Sequence, residues 1–324
     1  MEYGYLGKTG LKVSKICLGT MNFGPHTDEH NAHQIMDAAH EVGINFFDTA
    51  NVYGGPGKDG YSEEIIGRWF AKGGGRRDKT VLATKLYSKM GDWPNHSRIS
   101  ALAIRRECDA SLKRLKTDYI DLLQMHHIYR QAPWEEVWQA MEQLVQSGKI
   151  LYVGSSNFAA WHIVQANEAA RKRNFLGLIS EQSLYNLTAR MIELEVQPAC
   201  AAYGVGLIPW SPLAGGLLGG ILGGAGDRKR RLREAVQEDL RRLQPQIERY
   251  EALCHQLGEG PAHVAQAWLL GREAVASVIS GPRTVEQLHS SLRALSLTLD
   301  NEVLGMLDNI FPGPGGPAPE AYAW

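Results

Sequence analysis

The chain has 324 residues, of which 44% are hydrophobic and 21% charged, an ordinary composition for a soluble globular protein. With 34 basic and 35 acidic residues, it has no net field that would attract nucleic acid or an anionic membrane. No apolar run approaches the roughly 20 residues that span a bilayer, and the first residues lack the basic start and apolar core of a signal peptide. We therefore expect a cytoplasmic protein that binds neither nucleic acid nor membrane.

The cysteines are far apart along the chain and form no C-x-x-C pair. This spacing argues against a disulfide framework and against a structural zinc site, so reduced thiols are expected. The four residues are Cys17, Cys108, Cys200 and Cys254.

Short apolar runs alternate with stretches of helical period. A small hairpin is predicted first, from residues 3–6 and 12–16 around a Gly-Lys-Thr-Gly turn. Buried strands are predicted at 16–19, 44–47, 80–84, 119–125, 150–153, 178–180, 205–208 and 275–279. Helices are predicted near 30–42, 62–72, 98–115, 134–147, 159–172, 189–202, 262–271 and 284–294.

Eight buried strands, each followed by a helix, require parallel pairing with right-handed crossovers. Over one chain without a linker, this alternation favours a single domain, residues 1–324, folded as a (β/α)8 TIM barrel. A doubly wound open sheet is the alternative, and the absence of a break in composition argues against it. Two segments lie outside the repeat: a glycine-rich insertion with a helix at 214–260, and a tail rich in Pro and Gly at 311–324.

Chemically useful side chains stand at the ends of three successive strands. The run Ile44 to Phe47 leads into Asp48, and Tyr53 follows five residues later. The next two strands lead into Lys85 and His126. Because the strand-to-helix loops of such a barrel form its active face, these four side chains are predicted to make one site.

The four groups suit proton transfer to a carbonyl oxygen. Tyrosine has an ordinary pKa of about 10, and the Lys85 ammonium beside Tyr53 is expected to lower it. Asp48 would pair with Lys85 and keep it charged and aimed, while His126 would hydrogen-bond the substrate oxygen or help to relay the proton.

The remaining strand ends are mostly polar and suit a dinucleotide. Ser156, Asn157 and Gln182 could bind a carboxamide, Trp210 could stack on a flat ring, and Arg283 could bind a phosphate. The strand ends outside the group of four carry Thr20, Met21, Ser156, Asn157, Gln182, Trp210, Ser211, Gly281 and Arg283.

Over nearly its whole length the sequence resembles the aldo-keto reductases, through motifs in matching order. They are Leu18-Gly19-Thr20-Met21, Phe47-Asp48-Thr49-Ala50 through Tyr53-Gly54, Thr84-Lys85, Gln124-Met125-His126, Val153 to Phe158, Gln182 with Tyr185-Asn186, Trp210-Ser211-Pro212-Leu213, and Ile279 to Arg283 followed by Gln287-Leu288. The resemblance implies a catalytic tetrad of Asp48, Tyr53, Lys85 and His126, with Tyr53 as general acid. It also implies extended NADP(H) without a Rossmann fold, and hydride transfer to an aldehyde or ketone.

By the same resemblance, Arg283 would face the adenosine 2′-phosphate and favour NADPH over NADH. The glycines at 215–226 could serve as a flap over the pyrophosphate or simply as a flexible segment. The basic side chains at 228–233 are interpreted as a solvated helix face. The cofactor-binding residues implied are Thr20, Met21, Asp48, Ser156, Asn157, Gln182, Trp210, Ser211, Pro212, Leu213, Gly215, Leu217, Gly281, Arg283, Gln287 and Ser291.

The sequence departs from the family pattern near its last strand and on the substrate side. Ser280 stands where the family usually has Pro, and Ser290-Ser291 where Glu-Asn is usual. His127 follows the tetrad histidine where a larger group is common. Aromatic side chains of the loops predict an apolar pocket for a small-molecule aldehyde or ketone, which Tyr322 and Trp324 could cap. The substrate-binding residues predicted are Phe23, Tyr53, Tyr87, Trp93, His126 and Tyr129.

Two other functions are alternatives to the reductase. A slow or non-catalytic NADP(H)-sensing regulatory subunit is consistent with the same residues, since some family members associate with ion channels. A metal-dependent barrel hydrolase would need ligands beyond His126 and His127, which as neighbours on a strand are expected to point to opposite faces. No metal is therefore predicted, and the oligomeric state stays open.

Overall fold

Eight parallel strands curl around a common axis in the computed structural model, which describes residues 1–223 and 234–320. From β3 to β9 each strand pairs with the next along the chain, and β10 pairs with β3, in the order β10-β3-β4-β5-β6-β7-β8-β9. These strands are β3 (Ile16–Gly19), β4 (Phe46–Asp48), β5 (Val81–Leu86), β6 (Ile120–Met125), β7 (Ile150–Ser156), β8 (Leu178–Gln182), β9 (Gly206–Leu207) and β10 (Val278–Ser280).

The two edges of this sheet approach each other through the segment just before β10. The amide of Leu207 donates to Ala274, and the amide of Ala276 donates back to Leu207. Ile279 in β10 also donates to the carbonyl of Pro209 just after β9. The predicted (β/α)8 barrel is confirmed.

Helices surround the sheet, and several begin at side-chain caps. Asp28, Ser100, Thr284 and Asp300 each accept a hydrogen bond from a backbone amide of the first turn that follows. The helices are α1 (Glu29–Glu41), α2 (Tyr61–Phe70), α3 (Ala101–Leu115), α4 (Trp134–Gln146), α5 (Ala160–Arg171), α6 (Val196–Tyr203), α7 (Glu234–Gln256), α8 (Pro261–Leu270), α9 (Val285–Ser291) and α10 (Asn301–Ile310). Within the described ranges, none of them is long and apolar enough to cross a membrane.

The predicted opening hairpin is present as β1 (Tyr3–Tyr5) with β2 (Lys12–Ser14), and it packs on the barrel. Leu6 and Val13 are fully buried in the cluster that fills the barrel interior. Gly7 has φ +60°, and a Cβ there would meet the carbonyl oxygens of Ile179 and Gly204, so the hairpin can approach this closely only with glycine. The strand side chains of the interior cluster are Cys17, Phe46, Ala83, Leu122, Ile179, Ile208 and Ile279.

The structure differs from the sequence prediction in three elements. Helix α6 begins at Val196 rather than near 189, with a 3-10 turn at Met191–Glu193 before it, and Pro198 occupies its first turn, where proline is tolerated. Strand β10 begins three residues later than predicted. Helix α10 was not predicted.

Some predictions fall outside the described residues. These are the basic side chains at 228–233, the later part of the 215–226 glycine segment, and the capping role of Tyr322 and Trp324.

Candidate active site

A buried ion pair lies at the centre of the strand ends. Lys85, on β5, is fully buried, and its ammonium lies 2.7 Å from the Asp48 carboxylate on β4. The ammonium also donates to the carbonyl of Thr49 at 2.8 Å and to the Tyr53 hydroxyl at 3.3 Å. Because β4 and β5 are adjacent and parallel, their carboxyl ends bring the carboxylate, the ammonium and the phenol to one point.

Two amides from further strands hold the other oxygen of Asp48. Gln124 on β6 donates to Oδ1 at 3.1 Å, and Gln182 on β8 donates to the same atom at 2.9 Å. Asp48 is almost fully buried, so these bonds and the Lys85 ion pair take the place of water. The carboxylate is thus fixed by side chains from three other strands.

Tyr53 lies in the loop after β4 and is partly buried. The Lys85 ammonium is 3.3 Å from its hydroxyl and 4.8 Å from the centre of its ring. Burial raises the pKa of Tyr53, although the charge of Lys85 lowers it. The expectation of a lowered phenol pKa was therefore wrong in its net sign, because desolvation outweighs the ammonium, and Tyr53 holds its proton at neutral pH.

The ammonium of Lys85 keeps its charge despite its position. Burial, the largest single influence, lowers its pKa, but the Asp48 carboxylate and the hydrogen bonds to Asp48 and Tyr53 raise it above its usual value. A permanently charged ammonium therefore faces the phenol at every pH near neutrality.

His126 contributes a neutral imidazole beside Tyr53. The two rings meet edge to face with centroids 6.0 Å apart. Burial, with help from the charge of Lys85, lowers the pKa of His126 to about 3. Its Nδ1 atom is buried and has no hydrogen-bond partner among the described residues.

His126 and His127 do not point to opposite faces as the strand pattern suggested. Their rings are parallel, with centroids 5.1 Å apart, because both residues follow the last residue of β6 and so escape its alternation. Across residues 1–223 and 234–320, no three His, Cys, Asp or Glu side chains are grouped so as to hold a metal ion.

The ends of β7 and β8 carry a linked group of polar side chains. Ser156 donates to the Gln182 carbonyl at 2.9 Å, and Asn157 donates to Ser156 at 3.0 Å. The Trp210 indole donates to the Asn157 side chain at 3.1 Å. Asn157 has φ 60°, in the left-handed region that Asn tolerates better than most residues. The structure thus brings four of the predicted cofactor residues together.

The segment after Trp210 turns sharply. Ser211 and Ala214 both have positive φ, at 55° and 49°. The Asn186 side chain donates to the Ser211 carbonyl at 2.9 Å, and the Gly215 amide donates to the Ser211 hydroxyl at 3.2 Å. Of the residues predicted here, Pro212 and Leu217 are buried, Leu213 is partly buried and Gly215 is exposed.

The predicted residues around β10 and β3 differ in accessibility. Gly281 and Arg283 are exposed, and the Arg283 amide donates to the exposed Gln287 side chain at 2.8 Å. Ser291 is buried, and its hydroxyl donates to the Leu288 carbonyl of its own helix. Thr20 is also buried and donates to the Asp48 carbonyl, whereas Met21 is 52% exposed.

A cavity of about 710 Å³ opens beside Tyr53, between the loops that follow β3 and β4. Of the residues predicted to bind substrate, only Tyr53 lines it. Phe23 is fully buried in the core and Trp93 is 77% exposed, while Tyr87 and Tyr129 are partly buried on the side of His127. The cavity is lined by Met21, Asn22, Gly24, Pro25, His26, Val52, Tyr53, Gly54, Gly55, Pro56, Lys58 and Asp59.

Two contributors to the site had no role in the sequence interpretation. Gln124 precedes His126 by two residues, and the alternation of a strand could have placed its side chain toward Asp48. Asn22 donates to the Gly281 carbonyl at 2.8 Å and joins the first loop to the last. No local pattern could have indicated that contact between residues so distant in sequence.

The sequence matches a known protein family over the segments that form the strand-end site. The model of the Aldo/keto reductase family matches residues 15–311, nearly the whole chain. The protein belongs to the aldo/keto reductase family. Members generally use NAD(P)H and act on small carbonyl compounds.

Several relatives align over almost their full lengths. The uncharacterized oxidoreductase YrpG of Bacillus subtilis (strain 168) is 54% identical, with 100% of each chain covered. Versiconal hemiacetal acetate reductase of Aspergillus parasiticus is 32% identical, over 95% of this chain and 96% of that one. A probable voltage-gated potassium channel subunit beta of Arabidopsis thaliana is 34% identical over 92% of each chain. The family match and the first two of these relatives support a reductase function.

Proposed function

We propose that this member of the family is an NADPH-dependent reductase of aldehydes or ketones, with Tyr53 as its general acid. The observation that carries the proposal is the position of the Lys85 ammonium, 2.7 Å from the Asp48 carboxylate and 3.3 Å from the Tyr53 hydroxyl. A fixed cation at that distance matters most when the phenol loses its proton.

Proton donation is the task of Tyr53 in this proposal. The raised pKa keeps the phenol protonated before the reaction. As the proton moves to the carbonyl oxygen, negative charge develops on the phenol oxygen, and Lys85 stabilises it without reorganisation. Asp48, fixed by Gln124 and Gln182, holds the ammonium in place.

His126 orients the carbonyl group. A neutral imidazole has one N–H donor and one acceptor nitrogen, and an imidazole with a pKa of about 3 is neutral wherever the enzyme would work. It can therefore donate a hydrogen bond to the carbonyl oxygen without competing with Tyr53 for proton transfer.

The residues at the strand ends fit a nicotinamide dinucleotide. Ser156, Asn157 and Gln182 present amide and hydroxyl groups for a carboxamide, and Trp210 beside them offers a flat ring. The Arg283 guanidinium makes no ion pair and donates no hydrogen bond to any residue in 1–223 or 234–320, which suits a phosphate partner and the choice of NADPH. When bound, the reduced nicotinamide supplies the hydride.

Substrate binding is assigned to the cavity beside Tyr53. Met21, Pro25, Val52 and Pro56 give it apolar walls, and its volume is ample for an aromatic or medium-sized aldehyde. Tyr87, whose ring meets that of His127, and Tyr129 are assigned to an extension of this cavity, whereas the buried Phe23 supports the loop from below.

The proposal is tested by NADPH oxidation at 340 nm with a panel of aldehydes and ketones. Tyr53→Phe should lower kcat by about a hundred- to ten-thousandfold, the usual contribution of a general acid. NADPH binding, followed by fluorescence quenching, should survive the substitution, because the hydroxyl is assigned to the substrate. Equal turnover by both proteins would remove Tyr53 from the mechanism, and failure to bind NADPH would refute the proposal.

The potassium channel subunit relative favours a second candidate, a regulatory subunit that senses NADP(H) and turns over slowly. The residues assigned to chemistry would then bind cofactor tightly and release it slowly. A rapid first turnover followed by a much slower steady state would support this candidate, whereas sustained turnover favours the reductase.

A further inference from the structure

Glu181 is a fully buried carboxylate that plays no part in the chemistry proposed above. It lies on β8 next to Gln182, whose side chain reaches Asp48 inside the barrel. Because neighbouring residues of a strand alternate in direction, Glu181 points away from the interior, toward the surrounding helices. There it lies near the buried thiol of Cys200 on α6.

Neutral donors surround this carboxylate. Oε1 accepts hydrogen bonds from the Ser183 hydroxyl at 2.7 Å and the Phe158 amide at 3.1 Å, and Oε2 accepts one from the Ser155 hydroxyl. Among the described residues, no Lys, Arg or His forms an ion pair with it. Burial raises the pKa of Glu181 to about 7, although the hydrogen bonds lower it.

The donors belong to the ends of β7 and β8. Backbone pairing between these strands is irregular, with a register shift between Val153 and Ser155. Glu181 therefore supplies side-chain hydrogen bonds between β7 and β8 close to the point where their backbone pairing is irregular.

Every side chain assigned to the nicotinamide end of the cofactor either lies at these strand ends or belongs to a residue hydrogen-bonded to them. Ser156 and Asn157 precede Phe158, and Gln182 precedes Ser183. The Trp210 amide donates to the Ser183 carbonyl at 3.0 Å. A movement of the Phe158 amide or of Ser183 would displace all four.

We infer that Glu181 is a positioning residue, which holds Ser156, Asn157, Gln182 and Trp210 in the arrangement that receives the nicotinamide. This inference rests on the proposed function. Glu181 does not touch the cofactor and acts through the ends of β7 and β8.

The effect of Glu181 on folding stability distinguishes a positioning role from a purely structural role. The pKa of Glu181 is raised from 4.5, so the neutral acid is favoured on folding, and that stabilisation is lost as the pH rises to about 7. Above pH 7 the ionised form, without a cation, is a net cost to stability. A group that opposes folding at working pH is expected where function requires it.

The test compares wild type with Glu181→Gln at pH 8, using NADPH as the probe. The variant should bind NADPH about three- to tenfold more weakly, since bonds to a neutral amide are weaker than bonds to a carboxylate. Its Tm should equal or exceed that of wild type. The difference in NADPH affinity should shrink below about pH 7, where wild-type Glu181 is itself neutral.

Two further variants keep the test decisive. Asp121→Asn alters another buried carboxylate, which is bound to Arg77 and the Leu82 amide near the start of β6, and should leave NADPH affinity unchanged. Ser183→Ala removes one donor and should weaken NADPH binding even if Glu181→Gln does not fold. Unchanged affinity in Glu181→Gln or Ser183→Ala would overturn the inference, while failure of the wild type to bind NADPH would refute the proposed function instead.

Discussion

Lys85 is the residue on which the catalytic arrangement depends. Burying an ammonium group is unfavourable, and Asp48 offsets that by pairing with it at 2.7 Å in the buried interior. The same ammonium faces Tyr53, so one charge serves both the fold and the proposed proton transfer. Stability and activity should therefore respond together when Lys85 is changed.

Replacing Lys85 by Met should abolish measurable reduction and destabilise the fold by about 3–5 kcal/mol, because Asp48 would remain as an uncompensated buried charge. Urea denaturation measures the second effect. Lys89→Met is the matched control, since the pair of Lys89 with Asp92 is exposed, with side chains 66% and 96% accessible, and should leave the midpoint unchanged. Equal stability of Lys85→Met and wild type would contradict the buried pair.

The pH dependence of kcat follows from Tyr53 and His126. Tyr53 keeps its proton because burial raises its pKa above 10, and His126 stays neutral above a pKa of about 3. At saturating NADPH, kcat should be flat from about pH 5 to pH 9 and should fall only as Tyr53 loses its proton in alkaline solution. A step near pH 6.5 would mean that His126 titrates during catalysis.

The sequence located the four proposed catalytic residues because strand ends in a barrel share one face. Gln124 was within reach of the same reasoning, because it too lies at the carboxyl end of β6. Two features were beyond it: the net sign of the Tyr53 pKa shift, which depends on burial, and the role of Glu181, whose donors come from separate strands. Desolvation and contacts between distant segments are set by packing, which local patterns do not report.

Close packing of α2 against α3 is the clearest requirement at the scale of elements. Gly67 on α2 lies against the end of α3, where a Cβ would overlap the Arg114 carbonyl oxygen and approach Leu115. Only glycine lets the two helices approach this closely. Gly67 lies one helical turn after Glu63, whose carboxylate accepts hydrogen bonds from Thr84 and Arg114.

Two glycine-to-alanine substitutions in helices should have opposite effects. Gly67→Ala should destabilise by about 1–3 kcal/mol or more, because the overlap is with backbone. Gly305→Ala, on the exposed face of α10 with open space around its Cβ, should stabilise by about 0.5–1 kcal/mol, through helix propensity. Thermal unfolding of both variants checks this, and two shifts of the same sign would argue against the packing described.

Element prediction succeeded where hydrophobic periodicity was strong and failed at α10. That helix begins at a capping Asp300 and buries only Val303, Leu307 and Ile310, so its apolar stripe is narrow. Its position is fixed partly by Arg190, which donates to Asp308 at 2.6 Å from a distant part of the chain. Tertiary contacts of this kind cannot be inferred from local sequence.

At the scale of the whole molecule, the hairpin before the barrel completes its interior. Leu6 and Val13 are fully buried in the same cluster as side chains of the barrel strands. The segment lies outside the alternating β/α pattern, yet it supplies part of the core. The eightfold alternation predicted the barrel, whereas the packing of the hairpin into it was not evident from the pattern.

Leu6→Ala should therefore destabilise the protein by about 2–5 kcal/mol, the usual result of opening a cavity in a core. Tyr5→Ala is its control, because Tyr5 is 58% exposed and the change should stay within about 0.5 kcal/mol. The measurement is urea denaturation followed by fluorescence. If the two variants unfold at the same midpoint, the hairpin does not contribute to the core.

The most direct test of the proposed chemistry follows one turnover. Protein loaded with a single equivalent of NADPH is mixed with excess aldehyde, and the absorbance at 340 nm is recorded for wild type and Tyr53→Phe. The proposal predicts a fast single exponential for wild type and a rate lower by about a hundredfold or more for the variant, although both bind NADPH. Equal rates would contradict the assignment of Tyr53 as the acid, and no decay with bound NADPH in wild type would contradict the reductase itself.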